Sequence, residues 1–510
     1  MRNILQIVNS VMGSRKFFWA IVGLLIFQAS WLALSAQYPM AFDENYHFGI
    51  IQIYAQQWGP WFSTTPENSG AFGALIREPS YLYHYLMSFP YRLIAFFIHD
   101  QVHQIIMLRF INIGLFSAGL VAFWHLLKQL RITVKLINFS LLMLVLIPVV
   151  PFLAAHINYD NLLFLLIPIT LSLALSCGQA LQARRPVPIA KLLLLIVLLF
   201  LTSIVKYVYL PIALAIFIYL FVLWARHPQK KQVLVSLWTS FRSLHRSLML
   251  GLIIALIVSG GLFAERYGGN LIIYHDVAPS CAKVESKAHC SQYGPWARNN
   301  RMAESMRTDP QPVDADPLSF FVAWVGGLLY RLYFAINYTY DNKPPLLVPF
   351  ALAIVSTIAG FFLVARWGIT VLRRYPGLLL PLGGMLLYSA TLLYKNYTDY
   401  QALGEFVAIN GRYFIPLLPI VFVFVGLAAS YAISRLTKRF VTQTKTILAS
   451  LILILALQGG GLLTFLVHSE SGWYWQNPNV IAINEAAHSI VSPLIIQYDW
   501  STPILRLLIQ

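Results

Sequence analysis

Asp43 and Glu44 are adjacent carboxylates in "FDENYHFG" (42–49), in a chain of 510 residues that holds only 19 acidic side chains. Charges that close repel, so the pair is either well solvated or used for chemistry, and a carboxylate so placed is a candidate proton acceptor. Cations suited to an anionic partner lie elsewhere. Lys206, in "KYVYLP", ends an apolar run, where a buried ammonium without a partner costs about 2.5–3.5 kcal/mol or more. It either snorkels to the interface or faces an anion such as a lipid phosphate. Arg412, in "NGRYFIPLLP" (410–419), presents a planar fork of donors suited to phosphate, and Gly411 and Pro416 imply an irregular start to the run that follows. Arg109, in "IIMLRFINIG", is a further phosphate candidate, or a helix-end anchor. The stretch "HINYDN" packs His156, Asn158, Asp160 and Asn161 into one short turn, a common turn composition that also offers contacts to ligand hydroxyls.

The elements that must position these groups are membrane helices. With 58% hydrophobic and 11% charged residues, the chain repeats apolar runs near the ~20 residues that cross ~30 Å of hydrocarbon. In lipid such runs are helices, which excludes a β-barrel. The fold class is an all-α polytopic membrane protein with about 11 transmembrane helices, at 17–36, 104–127, 136–154, 161–181, 192–205, 207–224, 248–265, 345–365, 377–394, 413–433 and 446–468. The first run reads as a retained span, since no convincing cleavage site follows it. The run from 192 to 224 is too long for one crossing at 1.5 Å per residue, so it divides near 206–211 and leaves Lys206 near headgroup depth.

With the N-terminus inside, the inner segments hold 21 of the 36 Lys and Arg residues and none of the acids. That is the positive-inside pattern, so the net charge of +17 reports orientation and not nucleic acid binding. The outer face then carries a first loop (37–103), a second (266–344) and a tail (469–510), around transmembrane modules within 1–265 and 345–468. Segments 80–100 and 317–340 mix aromatics with charge, as interfacial helices do. Cys281 and Cys290 lie in the second outer loop, where an oxidising compartment permits a disulfide, and the sequence has no metal-ligand spacing.

An acidic pair just after span one, a short broken span ending in Lys206 and a late "GRYFxPxxP" together resemble the GT-C superfamily of membrane glycosyltransferases, over nearly the whole chain in topology and over these stretches in motif. The likeness is nearest to bacterial protein mannosyltransferases and lipid A aminoarabinose transferases. It implies a polyprenyl-phosphate-linked sugar as donor, Asp43 as base, Glu44 as its support, and Lys206 and Arg412 on the donor phosphate, while Arg109 stays a phosphate candidate from its own position alone. Where relatives often carry a His-Pro-Pro-like element, this chain has "REPSYLYHY" (77–85), so Glu78 and His84 join His156, Asn158 and Asp160 as candidate substrate contacts. There is no WWD-type motif, which disfavours transfer of a whole glycan to asparagine.

The reading implied is an inverting transferase, active on the extracytoplasmic face of a bacterial cytoplasmic membrane, moving a sugar to an acceptor hydroxyl on a lipid, polysaccharide or protein. No cofactor is required, because cations already meet the phosphate, although Asp43, Glu44 and Asp160 could form a weak divalent-metal site. The partners are the lipid-linked donor, membrane lipid and the acceptor. Other classes with many spans are a transporter or flippase, and a non-catalytic scaffold on a GT-C-like fold. Against transport, no internal repeat is visible and the acids lie outside the spans.

Overall fold

The computed structural model describes residues 10–40, 43–309, 316–333, 337–338, 341–342 and 345–496. The first helices in chain order are α1 (Arg15–Ser35), α2 (Glu44–Tyr54), α3 (Leu82–Phe97), α4 (Gln101–Gln129), α5 (Val134–Val145), α6 (Val149–Ala154) and α7 (Tyr159–Gln182). α8 (Ile189–Val205), α9 (Leu210–Ala225), α10 (Lys230–Arg242) and α11 (Arg246–Phe263) follow, the last continued to Tyr274 through a π-helical turn at Ala264–Gly268. Then come α12 (Gly294–Thr308), α13 (Pro317–Tyr333), α14 (Leu347–Arg374), α15 (Leu379–Leu403), α16 (Leu418–Ser434), α17 (Lys438–Leu457), α18 (Leu462–His468) and α19 (Pro478–Val491).

Among the described residues, nine helical segments are long and apolar enough to cross a membrane. Two shorter apolar helices, α5 and α8, fall where the remaining expected spans begin and end. Helix starts are set by side chains that meet the free N–H groups of the first turn. Ser14 accepts from Phe17 N, Asp100 from His103 N, Asn158 from Asp160 N and Asn477 from Asn479 N.

Two expected spans are broken. The run at 136–154 divides between α5 and α6 around Pro148, where the helix ladder loses a donor. The carbonyl of Leu146 left over by that break accepts from Gly461 N at 2.8 Å. Gly461 belongs to the second break, where Gly459 and Gly461 adopt φ of 122° and 61° and part α17 from α18 inside the run expected at 446–468. The breaks therefore satisfy each other, as backbone in a dry interior must. The expected division near Lys206 is present: α8 stops at Val205, Lys206 is extended, and Pro211 opens the first turn of α9.

The core packs α1, α4, α5, α6, α7 and α16, with Phe116 of α4 stacked on Phe164 of α7 at 3.9 Å between centroids. Of the segments expected at the interface, 80–100 forms α3, with His84 and Met87 buried and Leu93, Phe96 and Phe97 exposed. The other forms α13, while 334–336 and 339–340 lie outside the described residues. α13 buries Phe320, Trp324 and Leu328 against α15 and the turn at 411–417. The tail does not hang free: α19 packs on α1, where Trp31 Nε1 donates to Asn484 Oδ1 and Asn484 Nδ2 to Ser35 Oγ, and Tyr474 forms an isolated bridge with Ala36. Residues 497–510 lie outside the described residues.

Candidate functional site

The acidic pair splits at the start of α2. Asp43 takes a left-handed conformation, φ 66°, unusual for a non-glycine residue and of a kind that gathers at functional sites. That twist sends the neighbouring carboxylates to different environments: the Asp43 side chain is 65% exposed and that of Glu44 is fully buried.

Glu44 is gripped by Arg109 of α4. Arg109 Nε and Nη2 each donate to one Glu44 oxygen at 2.8 Å, and Met40 N donates at 2.9 Å. Burial pushes the Glu44 carboxyl up, but Arg109 and the Met40 amide outweigh it and hold its pKa below the ordinary value. Arg109 Nη1 donates to the carbonyls of Ala33 and Ala36 at the end of α1, and the Trp475 ring covers the guanidinium at 5.2 Å. The structure thus gives Arg109, expected at a phosphate, an internal task in which its forked donors join α1, α2 and α4.

Asp43 instead meets Arg412, whose Nη2 donates to Oδ2 at 2.8 Å. Arg412 sits in a 3-10 turn, Gly411–Leu417, the irregular start anticipated from Gly411 and Pro416. Gly411 is required there: a Cβ would lie 2.3 Å from Leu332 N and 2.4 Å from Leu328 O on α13. α13 therefore sets the position of the arginine through backbone contact.

Behind Asp43 stands Asp160, in the first turn of α7. Lys206 Nζ donates to Asp160 Oδ1 at 2.5 Å, and Arg412 Nε lies 3.6 Å from Asp160 Oδ2. These side chains are 1–3% exposed, so one buried carboxylate lies between two cations. The Lys206 ammonium also sits between the rings of Tyr159 and Tyr413, 4.3 and 4.2 Å from their centroids. Burial pulls the Lys206 pKa down to about 8 while Asp160 opposes that fall. Asp160, a candidate substrate contact in the sequence, is here the shared counter-ion of the cations.

The other candidates are distributed around this cluster. His156 Nδ1 bonds the Phe152 carbonyl at 2.7 Å, and Asn158, like His156, is fully buried. Asn161 Nδ2 donates to the carbonyls of Leu153 and His156, so the polar turn is largely engaged in holding its own shape. His84 pairs with His47 of α2 at 2.8 Å, both almost wholly buried. Burial lowers both pKa values, that of His84 to about 3, so both rings are neutral. Glu78 accepts from Ser80 N at 3.1 Å, and burial raises its carboxyl pKa. Cys281 and Cys290 form a disulfide, and His289 Nε2 beside it contacts the Gly73 carbonyl at 3.1 Å, bringing segments 37–103 and 266–344 together.

Among the described residues, no group of three or more His, Cys, Asp and Glu side chains is arranged to hold a metal ion. The chain matches no known family model and no curated protein. The site therefore has to be read from its own chemistry. Residues missed by sequence reasoning are His47, Asn112 and Tyr159. His47 follows Asp43 by one helical turn, a spacing that was open to inspection. Asn112, which accepts from Tyr83 Oη and Asn161 Nδ2, is an asparagine inside a span and carried a polar signal of its own.

Proposed function

We propose that this protein is an inverting glycosyltransferase with a GT-C-like arrangement of about eleven spans, moving a sugar from a polyprenyl phosphate to an acceptor hydroxyl on the extracytoplasmic face. The observation that carries the reading is the joining of an exposed carboxylate, Asp43, to two buried cations around Asp160. A base and a phosphate-binding pair are the parts such a transfer requires, and this cluster offers side chains suited to each.

In this reading the donor phosphate takes up donors of Arg412 and Lys206 at the Asp43 side of the cluster. Arg412 then shifts its allegiance from Asp43 to the phosphate, which frees the carboxylate only once donor is bound. The acceptor oxygen attacks C1 of the sugar from the face opposite the phosphate, and its proton passes to Asp43. The C1–oxygen bond to phosphate breaks, its electron pair leaves with the polyprenyl phosphate, and the anomeric centre inverts. The cations stabilise charge growing on the leaving phosphate. Glu44 and Arg109 hold the start of α2 and so the aim of Asp43.

The test is transfer by the reconstituted full chain from polyprenyl-phosphate sugars. Asp43→Asn is expected to lower turnover by about 10²–10⁴-fold, the usual contribution of a positioned base. Lys206→Ala and Arg412→Ala are expected to weaken donor use. Parent-like turnover in Asp43→Asn removes the base, and unchanged donor kinetics in both cation variants removes the phosphate clamp.

A further inference from the structure

We infer that α10 is a docking surface for anionic phospholipid headgroups in the leaflet it borders. The inference rests on the chain crossing a membrane and is independent of the transferase reading. α10 is tied between two apolar helices: α9 ends at Ala225 and α11 begins at Arg246, leaving links of residues 226–229 and 243–245. Chain that short, at most ~3.6 Å per residue, keeps a helix of about 20 Å beside the ends of its neighbours.

Its side chains are arranged the wrong way round for a helix in water. Leu234, Val235 and Trp238 are 53%, 61% and 55% exposed, and Lys231 and Arg242 share their side. Ser236 and Ser240 are half-buried, alongside Val233 and Leu237, which pack toward Cys177 and Leu181. A helix facing solvent exposes its small polar residues and hides its apolar ones. An outward face that is apolar and basic, with the Arg242 guanidinium 4.7 Å over the Trp238 ring, fits the boundary between acyl chains and headgroups.

Charge selects the lipid. From 161 to 264 the sequence contains no Asp or Glu, so the cations of α10 and its flanking Arg226 and Arg246 have no acidic neighbour along the sequence. Phosphate diesters carrying a net negative headgroup supply that charge, each nearby Lys or Arg adding about a fivefold preference.

The full chain carrying Val235→p-benzoylphenylalanine, in nanodiscs of phosphatidylcholine and phosphatidylglycerol, tests this by photocrosslinking and mass spectrometry of the adducts. Phosphatidylglycerol is expected among the adducts at about five times its bulk share or more. The excess is expected to fall about fivefold with each of Lys231→Gln and Arg242→Gln. It is also expected to collapse in 1 M salt, where screening acts over about 3 Å, an arm that leaves both cations in place. Lipid adducts at the bulk ratio, adducts only to protein, or no adduct overturn the proposal.

Discussion

Asp160→Asn removes the charge shared by Lys206 and Arg412 while keeping the side-chain volume. The three side chains are 1–3% exposed, with cation-to-carboxylate distances of 2.5 and 3.6 Å. Taking one partner from a buried pair costs about 3–5 kcal/mol, because an uncompensated charge stays buried. Asp43→Asn supplies the contrast, since its side chain is 65% exposed and such a screened pair is worth at most about 1 kcal/mol. The variants also separate by pH. Lys206 has a pKa of about 8 in the folded parent against 10.5 for an ordinary lysine, and without Asp160 it falls further. Between the folded and unfolded values the unfolded state holds the extra proton, so stability rises with pH there. The parent is flat with respect to this group from pH 7 to 8, whereas Asp160→Asn regains stability over that range at up to about 1.4 kcal/mol per pH unit. Unfolding free energies measured in bilayers at pH 7, 8 and 9 read both effects. A loss below about 1 kcal/mol, or one that does not change with pH, refutes the shared counter-ion.

The same charge logic gives transfer activity a falling limb as pH rises through about 8, where Lys206 loses its proton; pH–rate profiles with and without Lys206 check it. His47 and His84, buried and neutral, have folded pKa values below the unfolded 6.5, so their stabilising contribution is complete above pH 6.5 and is lost as pH falls toward the folded values. His84, with a folded value of about 3, is expected to remove about 2 kcal/mol between pH 6.5 and 5, with His47 acting in the same direction, and an unfolding profile flat over that interval contradicts their burial. Gly411→Ala drives a Cβ into the α13 backbone, with a loss of about 1–3 kcal/mol and a misplaced Arg412, whereas Gly23→Ala meets nothing within 4 Å and is expected to be neutral or slightly stabilising. Parallel stability and transfer measurements on the two alanine variants decide this.

The spans were legible because a bilayer demands long apolar runs, and Lys206 marked its own helix break because the run from 192 to 224 was too long to cross once. The 3-10 turn at Arg412 was announced by Gly411 and Pro416. Composition did not separate α5 from α6, since Pro148 and Pro151 lie in a stretch that is apolar throughout. Partnerships were hidden for a different reason. Glu44 and Arg109 are 65 residues apart, Asp160 and Lys206 46, and Asp43 and Arg412 369, and no local pattern says which opposite charges will meet. Hence Arg109 and Asp160 stand out chemically in the sequence, while their pairing with Glu44 and Lys206 does not. The fold class and the cluster's members could be read; the wiring between members had to be seen.

That wiring also sets an order of assembly. Asp160 and Lys206 leave the ribosome 46 residues apart and can neutralise one another as their helices enter the bilayer. Asp43 is made 369 residues before Arg412, a wait of roughly 20–70 s at about 5–20 residues per second. During that interval the exposed position of Asp43 keeps its lone charge in water, while the early pair keeps the growing bundle neutral within. The arginine is made long after the residues it joins, so the Asp43–Arg412 pair closes well after the Asp160–Lys206 pair.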